Sequence, residues 1–194
     1  MATVGAGSNG SFLDETEPTV KILLDERELR QGVERLAGEV NGHYDGESLT
    51  IIGVLTGSVV LLADLIRLLE MPLRVGVVQA SSYRGGTEAG ELSIQADFMP
   101  DITSRHVLLV DDIFDTGNTL VEVVKLVKEL QPASVATLVL LRKTGRQQVS
   151  YEPDFVGFDI PDEFVVGYGL DYADAYRNLN YLAALEPEDL NRTI

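Results

Sequence analysis

The residues best suited to chemistry lie in one unbroken string, HVLLVDDIFDTGNTL, from His106 to Leu120. An apolar run delivers two adjacent carboxylates, Asp111 and Asp112, and so dense a like charge suits a cation or the hydroxyls of a sugar. Asp115, Thr116, Gly117, Asn118 and Thr119 follow. Glycine lets a backbone approach a ligand, and two hydroxyls with the free N–H groups of a helix start can surround a phosphate. Each feature also has a plain structural alternative: a solvated turn for the acid pair and a helix cap for the polar run.

The elements around this string must hold it in place. The chain has 194 residues, 45% hydrophobic and 24% charged, which suits one domain with a real core. Residues 1–18, rich in Gly, Ser, Thr and acid, are expected to form a disordered tail, leaving residues 19–194 as the domain. Asp25 and Glu28 have capping-box spacing, and Leu29, Val33, Leu36, Ala37 and Val40 recur on one helical face. Leu49–Leu55 is a strand, and Thr56-Gly57-Ser58 opens a second apolar helix ending near Glu70 and Pro72. Leu73–Ala80 is another strand. Ser81–Ala96 is polar and glycine-bearing, long enough for a flexible flap or an extended hairpin. His106–Val110 is a strand, Asp111–Asn118 a polar turn, Thr119–Leu130 a helix with Leu120, Val123, Val124 and Val127 on one face, and Val135–Leu141 a strand. Phe155–Phe158 and Phe164–Gly169 read as short strands and loops of a hood. Strands alternating with helices imply parallel pairing, hence a three-layer α/β domain with its ligand beyond the carboxyl ends of a mainly parallel sheet.

Composition narrows the function classes. With 31 acidic against 15 basic residues the formal charge is −16, which argues against general attraction to nucleic acid or anionic lipid. Any anionic ligand needs a local device. The chain has no cysteine and two histidines, His43 and His106, so thiolate-bound zinc and cysteine nucleophiles are excluded and His106 is read as structural. With neither a secretion signal nor a long apolar run, a soluble cytoplasmic protein is expected.

Val107–Thr119, an apolar strand, two acids, two apolar residues and Asp-Thr-Gly-x-Thr, resembles the signature of the type I phosphoribosyltransferases. Tyr151–Leu182, YEPDFVGFDIPDEFVVGYGLDYADAYRNLNYL, and Leu140-Leu141-Arg142-Lys143 resemble the purine-binding region of the hypoxanthine-guanine branch of that family. The similarity runs from about Val20 to Leu182. It implies the family's fold, a central sheet with a hood made from both ends of the domain, and purine salvage: transfer of 5-phosphoribosyl from phosphoribosyl pyrophosphate (PRPP) to N9 of hypoxanthine or guanine, giving IMP or GMP and pyrophosphate, with Mg2+ as cofactor. A homodimer or homotetramer is implied too.

By the same resemblance, Asp115, Thr116, Gly117, Asn118 and Thr119 hold the 5-phosphate, while Asp111 and Asp112 approach the ribose hydroxyls and the magnesium. Asp115 lies where the family places the group near purine N7 and is the candidate general acid–base. Thr56 and Gly57 match the pyrophosphate loop, and Arg177 meets the pyrophosphate. Lys143 donates to O6 of the base, Phe164 stacks on it, the backbone of Val165 bonds its edge, and Asp171, beside the purine, helps hold a second magnesium. Ser82 and Tyr83 match the pair on the mobile flap. Residue type and spacing alone would make Lys143 a surface lysine and Phe164 a core residue.

Two positions depart from the family. Thr56 stands where many members have lysine, a residue linked there to a cis peptide before the glycine. Glu163 stands where lysine is frequent, which would alter the charge near the base and leaves the preference among hypoxanthine, guanine and xanthine open. The alternatives are a xanthine-preferring enzyme, a regulatory nucleotide-sensing or RNA-binding protein on the same scaffold, and a phosphoacceptor signalling domain. The acidic charge disfavours RNA, and no isolated phosphorylatable aspartate stands on a separate strand.

Overall fold

The computed structural model describes residues 21–82 and 92–186. Its elements are β1 (Lys21–Leu24), α1 (Glu26–Tyr44), β2 (Leu49–Leu55), α2 (Val59–Leu65), β3 (Leu73–Ser82), β4 (Leu92–Gln95), β5 (His106–Phe114), α3 (Asn118–Glu129), β6 (Ser134–Lys143), β7 (Phe155–Ile160), β8 (Phe164–Val166) and β9 (Leu182–Leu185).

Period-two alternation makes the layers. In β5, Leu108 and Val110 join Leu29, Val33 and Leu36 of α1 and Leu61 and Leu65 of α2 in one buried cluster. Val107 and Leu109, on the other face of the same strand, join Leu120, Val123, Val124 and Val127 of α3. Because both faces of the strand are covered, it reads as an unbroken apolar run. Every apolar position that the spacing assigns to the inner faces of α1 and α3 is buried. The expected capping box also forms, the Asp25 carboxylate accepting from Glu28 N at 2.7 Å and the Glu28 carboxylate from Asp25 N at 2.8 Å.

The main sheet runs β4-β3-β2-β5-β6-β7, parallel except for the β3–β4 hairpin. From β2 the chain goes outward to β3 in one direction, whereas from β5 it goes to β6 and β7 in the other. That reversal opens a crevice between the carboxyl ends of β2 and β5, the place where open α/β sheets bind ligands. A second, antiparallel sheet, β1-β9-β8, forms the hood from both ends of the described chain.

Three expectations change. Asp111–Phe114 is not a turn: β5 continues through it, with Asp111 opposite Val139, Ile113 opposite Leu141 and Phe114 opposite Arg142 of β6. The second helix stops at Leu65 rather than near Glu70. There the Asn41 side chain of α1 donates to Leu68 O at 3.1 Å and accepts from Glu70 N at 3.0 Å, taking backbone groups that a longer helix would have used. Finally, Phe155–Phe158 belongs to the edge of the main sheet, parallel to β6, and not to the hood. The tail, residues 1–18, lies outside the described residues.

Candidate active site

Asp111 and Asp112 stand near the end of β5, and Asp111 is 7% exposed. Burial, followed by the charge of Asp112, holds the Asp111 carboxyl well above the usual carboxylate range. Asp112 is raised as well, chiefly by burial, against the opposing pull of hydrogen bonds and of Arg177. Two like charges on one strand, Asp111 buried and Asp112 half-buried, are unfavourable alone, and an arriving cation would relieve them. The neighbouring loop fits closely around the pair. A Cβ on Gly57 would overlap the Asp112 carboxylate, so only glycine lets the loop after β2 pass.

That loop, the acid pair and the loop after β5 line one cleft of about 600 Å³. Thr56, Gly57, Asp111, Asp112, Asp115, Thr116, Gly117 and Thr119 are on its wall, together with Asp171 and Arg177 from the hood side. The peptide between Leu55 and Thr56 is cis. Gly117, at φ 87°, precedes the first turn of α3, and its carbonyl accepts from Val121 N at 3.1 Å. The N–H groups of that turn make an anion site at the helix start.

A second recess, about 220 Å³, adjoins the first and shares Asp112, Ile113, Asp115 and Asp171 with it. Lys143, Phe164, Val165 and Leu170 complete its lining. Lys143 is 7% exposed, and its Nζ lies 3.4 Å from Asp115 Oδ2 and 3.5 Å from Asp162 Oδ1. Arg146 binds the same two carboxylates from outside, its Nε 3.0 Å from Asp115 Oδ1 and an Nη 3.3 Å from Asp162 Oδ2. Phe164 is 41% exposed, with its ring edge-on to Tyr172 at 5.5 Å. An acid-lined cleft thus meets a half-apolar recess with one buried ammonium.

The family profile for the phosphoribosyl transferase domain matches residues 19–173. The chain belongs to the phosphoribosyltransferases. The hypoxanthine-guanine phosphoribosyltransferase of Staphylococcus aureus strain Mu50 is 38% identical over 169 residues, covering 87% of this chain and 94% of that relative. The bifunctional protein TilS/HprT of Listeria innocua is 38% identical over 96% of this chain, which spans only 28% of that relative's length. Among solved structures, a Bacillus anthracis hypoxanthine-guanine phosphoribosyltransferase superposes with a TM-score of 0.79 at 36% identity, covering 86% of this chain and 98% of that one. The Trypanosoma cruzi hypoxanthine phosphoribosyltransferase in its ternary substrates complex gives 0.80 at 38% identity, covering 87% and 96%.

Against this phosphoribosyltransferase frame, the site residues expected from the sequence are largely brought together. Asn118 is the exception: it is absent from the cleft wall, and its side chain turns to Gln148 Oε1 at 3.5 Å. Ser82 ends β3, while Tyr83 and the rest of the flap centre lie outside the described residues. Lys143 is buried, not the surface lysine that its residue type suggests. Glu163, read as altering the charge near the base, pairs through Oε1 with Lys21 Nζ of β1 at 2.9 Å. Sequence reasoning missed Arg146 and Asp162. Arg146 follows a turn and Asp162 adjoins Glu163, and only folding shows that Asp162 pairs with Lys143 and that Arg146 shares its two carboxylates with that lysine. His106 bonds Ser134 Oγ and Glu47 at the opposite end of the sheet, in a structural role.

Proposed function

We propose that this phosphoribosyltransferase works in purine salvage, transferring 5-phosphoribosyl from PRPP to N9 of hypoxanthine or guanine and releasing pyrophosphate. The carrying observation is the shared wall: Asp112, Ile113, Asp115 and Asp171 line both the phosphate cleft and the recess of Lys143 and Phe164, so ribose and base meet there.

Each residue has a role in this reading. Thr116, Gly117, Thr119 and the start of α3 hold the 5-phosphate, with Asn118 contributing its backbone N–H. Thr56, Gly57 and Arg177 take the pyrophosphate. Lys143, a donor with no acceptor capacity, selects an oxo group over an amino group at C6. Phe164 stacks on the base, Val165 bonds its edge through the backbone, and Asp115 accepts the proton that the purine gives up. As the bond from C1 to pyrophosphate breaks and that to N9 forms, with inversion, positive charge grows on the ribose. In this reading Asp111 and Asp112 stabilise that charge. Ser82 and Tyr83 on the flap keep water from intercepting it.

The donor set fits Mg2+. Asp111, Asp112 and Asp171 are hard oxygen ligands, and the first two, one buried and one half-buried, are adjacent like charges with raised proton affinity. Mg2+ commonly needs only one or two carboxylates when substrate phosphates supply the rest, and so suits a site in which the described residues form no group of three such ligands. When bound, it neutralises charge on the pyrophosphate leaving group. A homodimer or homotetramer in the cytoplasm completes the reading. It is supported by a solved T. cruzi relative whose C-terminal region was studied for its role in oligomeric state. No helix among the described residues is long and apolar enough to cross a membrane.

The test mixes purified protein with PRPP, Mg2+ and, separately, hypoxanthine, guanine, xanthine, adenine and uracil, following absorbance and pyrophosphate release. Turnover is expected with hypoxanthine or guanine and should stop on chelation. Silence with all five bases would overturn the reading, and preference for xanthine would reassign the substrate.

A further inference from the structure

Asp171 and Arg177 reach the phosphate cleft from a chain segment outside the main sheet, so something must fix that segment against the loop after β2. The segment turns tightly at Tyr168, where Gly167 and Leu170 exchange backbone hydrogen bonds at 3.0 Å. Arg177 is tied to the turn twice: its carbonyl accepts from Gly169 N at 3.0 Å, and its guanidinium donates to Gly169 O at 2.8 Å. Its other nitrogen pairs with Asp171 Oδ1 at 2.8 Å. Turn, guanidinium and carboxylate therefore form one unit.

One contact docks this unit on the pyrophosphate loop, and a second ties it to Asp64 near the C-terminal end of α2. Gly169, at φ 102°, lies so close that a Cβ there would overlap Gly57 O and stand 3.6 Å from Val60 Cβ. Beside it the Tyr168 side chain, 8% exposed, runs to α2, and its hydroxyl donates to Asp64 Oδ2 at 2.7 Å across 104 residues of sequence. The N-terminal end of α2 continues the Thr56–Ser58 loop. One side-chain hydrogen bond therefore joins the two elements that must close on the same group. Burial first, then the bond to Asp64, raises the phenol above its ordinary value and keeps it a neutral donor at physiological pH.

We propose that Tyr168 and Asp64 are positioning residues that set the distance of Arg177 and Asp171 from Thr56 and Gly57, and so control capture of the pyrophosphate group without touching it. The inference rests on the purine-salvage reading above. Its signature is asymmetry: Leu170 and Asp171 of this segment also line the Lys143 recess, but Lys143 stands on β6 and Phe164 and Val165 on β8, so capture of the base should respond less to the bond than capture of pyrophosphate.

The experiment compares wild type with Tyr168→Phe, Asp64→Ala and Asp64→Asn. It measures KM for PRPP and hypoxanthine forward, KM for pyrophosphate and IMP in reverse, and Tm. Tyr168→Phe and Asp64→Ala should each raise KM for PRPP and pyrophosphate by roughly tenfold, as for loss of one hydrogen bond to a charged group, with kcat and KM for hypoxanthine within about twofold. Asp64→Asn keeps an oxygen acceptor and should recover most of the effect. Unchanged KM values in Tyr168→Phe would overturn the proposal. So would a uniform fall of all parameters with Tm, or failure of the variants to fold, since either marks a purely structural bond. Wild type inactive with every base would instead remove the salvage reading, which the variants leave untouched.

Discussion

The two halves of the cleft solve opposite electrostatic problems. In the phosphate half, Asp111, Asp112 and Asp171 face a single guanidinium, Arg177, and Asp111, buried, stands beside half-buried Asp112 on one strand. In the purine half, Lys143 and Arg146 alternate with Asp115 and Asp162, so two cations and two anions cancel. The first half is unbalanced and needs compensation from solution; the second is complete as folded. On the proposed reading, a chain with formal charge −16 holds a polyanion through a cation that these three carboxylates attract. Asp115 sits on the seam, lining both halves, and should be the most sensitive single position.

The largest effect is accordingly expected at that seam. Asp115→Asn keeps size and the capacity to accept a hydrogen bond but takes a proton poorly, so kcat should fall by about 100- to 10,000-fold, the usual span for general acid–base help. KM for PRPP should move far less. Single-turnover kinetics check this, and equal turnover in the variant would remove the proton-transfer role and leave Asp115 a counter-ion for Lys143 and Arg146.

Next is the purine half itself. Lys143→Ala deletes the buried donor, and KM for hypoxanthine should rise by roughly 10- to 100-fold, as for loss of a charge-assisted hydrogen bond. KM for PRPP should be nearly unchanged. Purine and PRPP titrations read the two halves separately; a parallel loss in both would mean that they are not independent.

The phosphate half should show the reverse character, a gain of stability where function is lost. Asp111→Asn removes the buried member of two adjacent like charges, so ligand-free protein should be more stable near neutral pH, with Tm higher by about 2–4 °C for each kcal/mol relieved. The sign follows from linkage. The folded Asp111 binds its proton more tightly than the unfolded chain does, so wild-type stability rises as pH falls through the raised value and levels off below the ordinary carboxylate pKa of about 3.9. The variant's advantage should therefore shrink towards acid pH. Melting curves of both proteins across that window check it, and an advantage independent of pH would mean that the pair is not strained by charge.

The same contrast explains what the sequence could disclose. The phosphate half is contiguous: a strand, an acid pair and a phosphate-binding run share one string, so local pattern and motif reinforce each other. Both helix faces were legible because burial there follows the 3.6-residue period. What stayed hidden depends on partners distant in the chain. Asp111–Phe114 reads as a turn from its carboxylates, but pairing with β6 keeps it extended. α2 ends early because Asn41 of another helix takes its backbone groups. Arg146 and Asp162 lie in separate connections, and nothing in their neighbours signals that Arg146 and Lys143 share the carboxylates of Asp115 and Asp162.

Glu163 provides the smallest and most discriminating test of the balanced half. By position alone it should disturb the base, because it precedes Phe164 on the recess wall and replaces a frequent lysine. Its carboxylate instead meets Lys21 at 2.9 Å, in a pair whose side chains are 56% and 32% exposed. Water screens such a pair, and its contribution is at most about 1 kcal/mol. Glu163→Lys should then lower Tm by no more than about 2–4 °C, through repulsion from Lys21, and shift the ratio of kcat/KM for hypoxanthine and guanine by less than about twofold. A shift of about tenfold would show that the base feels charge from outside the Lys143–Asp115–Arg146–Asp162 quartet. The purine half would then share the open electrostatics of its neighbour, and base preference would be set at the hood rather than at the end of β6.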